Sequence, residues 1–175
     1  MSESLQGWFD LYRAIVMPAQ CDIYGHMNVR HYAACFDDAG WHFPAMAGFS
    51  LAQLRSRGYG TVVATLGIDF LHEIRAGELI LIRGAITRVG TKSFSHEMRL
   101  YEADAMTHCA TQKTVEVCFD TEARKGVALP EDIKGVAKLL YEKKNGAPVT
   151  LDLLVLEQKG NFTMLRQGRV ELIPR

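Results

Sequence analysis

After Gly58 the spacing of apolar residues changes from near four to two, and this change limits the chain to folds built on a sheet. Four segments follow that alternate as strands do: Thr61 to Leu71, Glu78 to Val89, Ser93 to Glu102, and Thr107 to Phe119. Gly77, the pair Gly90-Thr91 and the stretch Ala103 to Ala105 punctuate them at hairpin-like distances, which predicts antiparallel pairing of successive strands. Phe94, His96, Met98 and Leu100 alternate with Ser95, Glu97, Arg99 and Tyr101, so one face of this sheet must be covered.

The cover comes from upstream. Val29, Tyr32, Ala33, Phe36, Ala39 and Gly40 fall at helical spacing on one face, and Asn28, a favoured N-cap type, stands directly before them. Leu11 to Met17 reads as a short strand ended by Pro18, and Pro44 predicts a kink or stop for the helix. A second short helical piece runs from Ser50 to Arg57 and is closed by Gly58. Pro130 to Lys144 reads as a third helix, and Thr150 to Ile173 as a strand pair around Lys159-Gly160-Asn161 that carries no functional signal. The expected class is α+β, an antiparallel sheet with one long helix on it. Residues 1–135 are expected to form the main domain, and 136–175 an extension packed on it or completing it.

Length and composition narrow the function. A chain of 175 residues suits one domain with a sizeable core, and 48% apolar with 23% charged residues is ordinary globular usage. Twenty basic and twenty acidic residues cancel, which argues against a strongly basic nucleic-acid surface and towards a small partner. Met1 to Asp10 holds no basic residue and no apolar run of signal-peptide length, and no stretch approaches a membrane span, so a cytoplasmic protein off the membrane is expected. Cys21, Cys35, Cys109 and Cys118 form no Cys-x-x-Cys pair, so neither a zinc site nor a disulfide framework is indicated, and reduced thiols in or near the core are expected.

One stretch departs from this pattern: Cys21-Asp22-Ile23-Tyr24-Gly25-His26-Met27-Asn28, a polar turn between strand and helix. It sets Asp22 beside a helix N-terminus, whose unpaired N–H groups carry partial positive charge and suit the oxyanion formed when a carbonyl is attacked. A carboxylate next to an anion hole is sufficient for acyl transfer to water, with Asp22 as base on a water or as nucleophile. A thioester suits such a site, because thiolate leaves without prior protonation. The plainer readings are a turn carboxylate for Asp22, a helix cap for Asn28, and a turn histidine bonded to backbone for His26. Tyr32 and Phe36 lie on the apolar helix face, and Trp41, His42 and Phe43 fit either core or pocket wall.

The string from Asp22 through Gly25-His26-Met27-Asn28 to Tyr32, followed by Asp69-Phe70-Leu71 and the turn Arg75-Ala76-Gly77-Glu78, resembles the 4-hydroxybenzoyl-CoA thioesterase family of hotdog proteins over Leu11 to about Leu129. The resemblance implies a hotdog fold, with the sheet wrapped around the long helix. It also implies homodimers with joined sheets, often paired into homotetramers, with active sites at the subunit interface. The substrate implied is an acyl-CoA or acyl-carrier-protein thioester, with no metal or other cofactor. It assigns catalysis to Asp22 and carbonyl polarisation to the backbone N–H near Val29, with Asn28 and His26 beside them and Gly25 and Tyr32 towards the substrate. Among the basic pairs Arg55/Arg57, Arg88/Lys92 and Arg124/Lys125, the turn holding Arg88, Thr91, Lys92 and Ser93 is the favoured grip on CoA, because a hairpin tip in this fold can approach a neighbouring subunit's ligand. The Val29-Arg30-His31 run and the extension past Leu129 depart from the family pattern. Two alternatives stand beside hydrolysis: a hotdog enoyl-CoA hydratase or dehydratase using Asp22 and His26, and a non-catalytic acyl-CoA-binding domain.

Overall fold

The structure is a computed structural model, and it describes residues 8–43, 51–144, 149–159 and 162–172. In chain order the elements are β1 (Phe9–Ile15), a 3₁₀ turn (Pro18–Gln20), α1 (Val29–Gly40), α2 (Leu51–Ser56) and β2 (Tyr59–Phe70). Then follow β3 (Leu79–Val89), β4 (Ser93–Glu102), β5 (Thr107–Asp120), β6 (Lys125–Gly126), α3 (Glu131–Lys144), β7 (Val149–Lys159) and β8 (Phe162–Leu172). The main sheet has the order β1-β3-β4-β5-β2, with β6 paired to β5, and every ladder is antiparallel. β7 and β8 pair with each other in a separate two-stranded ladder.

The hairpins β3–β4 and β4–β5 follow from the alternation in the sequence, and their registers place Ile82 opposite Leu100 and Met98 opposite Gln112. Ile80, Ile82, Ile86, Met98 and Leu100 are buried, and they form one core with Tyr32, Cys35, Phe36 and Ala39 of α1. This is the hotdog arrangement: one long helix against a single antiparallel sheet. Gly84 is where the packing is tightest. A Cβ there would lie 2.5 Å from the Leu11 side chain and 2.8 Å from that of Phe43, so a side chain on β3 at this point would have to displace them.

α1 spans the stretch that the periodicity predicts, and Asn28 Oδ1 accepts the Arg30 amide at 3.2 Å as its cap. β1 differs: it ends at Ile15 rather than Met17, because the Met17 N–H turns to donate to Gln20 Oε1 at 2.7 Å and starts the 3₁₀ turn. Gly58, with φ of +71°, follows α2 as expected, and β2 begins at once at Tyr59. α3 bridges residue 135, where the sequence suggested a division, and packs on β3. The kink expected at Pro44 and the turn at Gly160-Asn161 lie outside the described residues. All four cysteines are free thiols, three of them buried and Cys21 half-buried. No helix among the described residues is long and apolar enough to cross a membrane.

Candidate active site

The loop from Cys21 to Asn28 is folded tightly on itself. The Asp22 N–H donates to the His26 carbonyl at 2.9 Å, the Gly25 N–H donates to the Asp22 carbonyl at 3.0 Å, and Cys21 bridges Met27. Gly25 has φ of +81°, a conformation that L side chains rarely adopt, which is why glycine stands in this turn. Asp22 Oδ1 accepts the Tyr24 amide at 2.8 Å, and Oδ2 takes no hydrogen bond among the described residues. One carboxylate oxygen therefore fixes the side chain and the other stays available.

The segment after β2 is stitched to this loop. The Met27 N–H donates to the Ile74 carbonyl at 2.7 Å, His26 bridges Arg75, and the turn closes through Gly77, with φ of +90°, and an Arg75 N–H bond to Glu78 Oε2 of 3.0 Å. A cavity of about 520 Å³ opens between the two segments. Asp22, His26, Val29 and Tyr32 line one side of it, and Phe70, His72 and Glu73 the other. Val29 is the first residue of α1, so its N–H has no acceptor within the helix, and the helix dipole adds partial positive charge there. His26 Nε2 lies 3.1 Å from Glu73 Oε2. The Tyr32 ring meets Phe70 edge to face at 5.1 Å between centroids. Burial, with smaller contributions from Cys109 and from Glu73 and Glu78, pushes the Tyr32 phenol up to about 12 against a hydrogen bond with the Ile74 backbone, so the phenol is protonated at neutral pH.

The profile of the thioesterase-like superfamily matches residues 16–136, more than half of the chain. The chain belongs to the thioesterase-like superfamily. It is a thioester hydrolase by that membership. Among solved structures it is similar to a 1,4-dihydroxy-2-naphthoyl-CoA thioesterase from Synechocystis, at 21% identity and a TM-score of 0.66, covering 75% of this chain and 96% of that one. A hypothetical protein from Staphylococcus aureus, solved in complex with CoA, has 17% identity and a TM-score of 0.73 over 86% of this chain and 99% of its own. A probable thioesterase from Bartonella henselae has 23% identity and a TM-score of 0.63, covering 70% of this chain and 99% of that one. No curated protein matches the chain significantly.

The thioesterase brings four of its candidate residues to the cavity wall: Asp22, His26, Val29 and Tyr32. Gly25 and Asn28 shape the loop and the helix start instead. Arg88, Thr91, Lys92 and Ser93 are not brought there. Arg88 lies near the far end of β3, about 30 Å along the strand from Leu79, and Thr91 to Ser93 follow in the turn into β4. Their turn is tied down by backbone: the Thr91 carbonyl accepts from Leu129 and the Lys92 carbonyl from Cys118. Arg88 lines a separate cavity of about 340 Å³ with Lys138 and Tyr141. Arg57 is engaged by Asp132 through two bonds of 2.7 and 3.1 Å, and Arg124 lies over the Phe119 ring. Sequence reasoning missed Tyr24, His72 and Glu73 as site residues. The available signal was position, because His72 and Glu73 fall between Leu71 and Arg75 inside the second family block.

Proposed function

We propose that this thioesterase hydrolyses acyl-CoA, with Asp22 carrying the chemistry and the Val29 N–H holding the carbonyl oxygen. The observation that carries the reading is that Asp22, with one carboxylate oxygen unengaged among the described residues, shares a cavity with Val29, the first residue of α1. As nucleophile, Asp22 would form a C–O bond to the thioester carbon while the C–S bond breaks and thiolate leaves. Water then opens the mixed anhydride and restores the carboxylate. As base, Asp22 would instead take a proton from the water that attacks the same carbon. In both routes the Val29 amide meets the developing oxyanion. Neither calls for a metal or other cofactor. In a single turnover in ¹⁸O-labelled water, label in Asp22 with an unlabelled acid product identifies the nucleophilic route with water attacking the Asp22 carbon of the anhydride, whereas label in the acid is common to the base route and to attack at the acyl carbon.

CoA as the carrier is supported by the CoA complex of the Staphylococcus aureus protein and by the CoA thioester substrate of the Synechocystis enzyme. A cytoplasmic site of action suits such substrates. A homodimer is supported by β2, the last strand of the sheet order, on which Val62, Val63, Leu66 and Phe70 are each about half exposed. An apolar edge strand of this length is a template for pairing, and Phe70 at its end belongs to the Asp22 cavity, so a second copy on β2 would border the site. Further pairing into a tetramer would bring other subunits to turns such as that of Arg88 to Ser93. The hydratase alternative needs Asp22 and His26 to work together, but His26 is bonded to Glu73, and no hydrogen bond joins its ring to Asp22 among the described residues.

The test is thiol release from a panel of aromatic, short and long acyl-CoAs, with crotonyl-CoA hydration assayed in parallel. Hydrolysis of at least one member supports the reading. Hydration without thiol release would replace it with the hydratase, and binding without either reaction would replace it with a sensor domain.

A further inference from the structure

A buried polar cluster on the inner face of β4 and β5 takes no part in the Asp22 cavity. His96, 2% exposed, has Nε2 at 2.9 Å from Glu116 Oε1, and Gln112, 3% exposed, donates from Nε2 to Thr114 Oγ1 at 3.0 Å. The remaining polar atoms of the two side chains, His96 Nδ1 and Gln112 Oε1, are buried without a partner among the described residues. Leaving such atoms unmet costs about 1–3 kcal/mol each, and protein interiors rarely do so. Both residues line a cavity of about 80 Å³ beside Phe36, Trp41 and Leu66, larger than one water requires. When the ring donates Nε2–H to the Glu116 carboxylate, Nδ1 presents a lone pair, as Gln112 Oε1 does. Asp37, Thr61, Thr114 and Glu116 also line this cavity, but none of them meets these two acceptors, which call for a ligand group that donates.

Both cavities are lined by α1 and β2. Val29 and Tyr32 of α1 line the first and Phe36 and Asp37 the second, so Val29 to Asp37 spans about 12 Å of helix. On β2 the first holds Phe70 and the second Leu66, about 13 Å apart, with Ile68 between them. We propose that His96 and Gln112 form the distal end of the acyl pocket and select an extended acyl chain that ends in a hydroxyl. The inference rests on the thioesterase reading, since it takes the carbonyl to sit at Asp22 and Val29.

The test measures calorimetric binding of an ω-hydroxy fatty acid and of the methyl-ended acid with the same number of heavy atoms, over a series of chain lengths. Wild type, Gln112→Leu and His96→Asn are compared, together with thiol release from the corresponding CoA thioesters. Gln112→Leu removes an unmet buried acceptor and should fold. Wild type is expected to bind the hydroxy acid at least about tenfold tighter at the best length, and Gln112→Leu to reduce the preference to about twofold or less. Equal binding of the two acids, no binding of the hydroxy acid, or a preference that survives both substitutions overturns the inference. Hydrolysis without a hydroxyl preference removes this subsite and leaves the hydrolase, whereas a binding preference without thiol release removes the hydrolase and leaves the subsite.

Discussion

The imidazole of His26 meets the carboxylate of Glu73 at 3.1 Å on the wall of the Asp22 cavity, joining the two segments that carry the family resemblance. Glu73 is largely exposed, so the pair adds little to stability, and its consequence is the orientation of His26. Glu73→Ala should therefore leave the melting temperature nearly unchanged and lower kcat/KM by about tenfold, while Glu73→Gln, which still accepts from Nε2–H, should retain most activity. Steady-state kinetics and thermal melts of both variants check this. Equal losses in the two variants would show that charge, and not orientation, is what Glu73 provides.

Val29→Pro tests the anion hole without removing a side chain from the reaction. Proline is tolerated at the first helical position, and Asn28, with φ of −72° and ψ of 145°, already has the backbone that a residue before proline requires. The fold should persist and the N–H is lost, so kcat should fall by about a hundredfold to a thousandfold. Circular dichroism confirms folding and thiol release reports the rate. Retained turnover would place the oxyanion donor elsewhere.

Glu116 links the buried cluster to acid stability. Burial pushes its carboxyl up, but hydrogen bonds with His96 and Thr61 outweigh burial and hold it below its ordinary value of 4.5. A carboxyl lowered in the folded state contributes stability that is complete above its unfolded pKa and lost as pH falls through the folded one. Glu116→Gln should therefore melt lower than wild type at neutral pH, with the gap closing in acid below about pH 4. Melting curves across that range decide it, and a gap that does not change with pH would contradict the assigned ionisation.

Gly84→Ala should destabilise by about 1–3 kcal/mol, because the new methyl meets Leu11, Phe43 and Met98 in a packed core. Urea unfolding measures this, and an unchanged midpoint would mean that the side chains of Leu11, Phe43 and Met98 give way at little cost.

What was legible in the sequence was what local spacing encodes. The apolar stripe from Val29 to Gly40 gave the helix, Asn28 its cap, and the alternation from Ser93 to Glu102 gave β4 to the residue. Asp22 and Val29 were legible as neighbours because a short turn allows nothing else. The His26–Glu73 pair was not, since it depends on how β2 delivers its last residues to the loop. The Arg88 to Ser93 turn is a hairpin tip expected to reach a neighbouring subunit's ligand, and the register of β3 places it at the end of the sheet away from the Asp22 cavity of its own chain. His96 read as one more residue on the covered face. Only the β4–β5 register, which sets Phe94 against Glu116 and Met98 against Gln112, shows that polar side chains cluster there.

The central claim is that Asp22 carries the chemistry, and Asp22→Asn tests it most directly. Asparagine matches the shape and can still accept the Tyr24 amide, so loop and helix cap should be unaffected. Thiol release from the best acyl-CoA should fall by about a hundredfold to ten-thousandfold with an unchanged melting temperature. Turnover equal to wild type would contradict the account and leave Asp22 a turn residue.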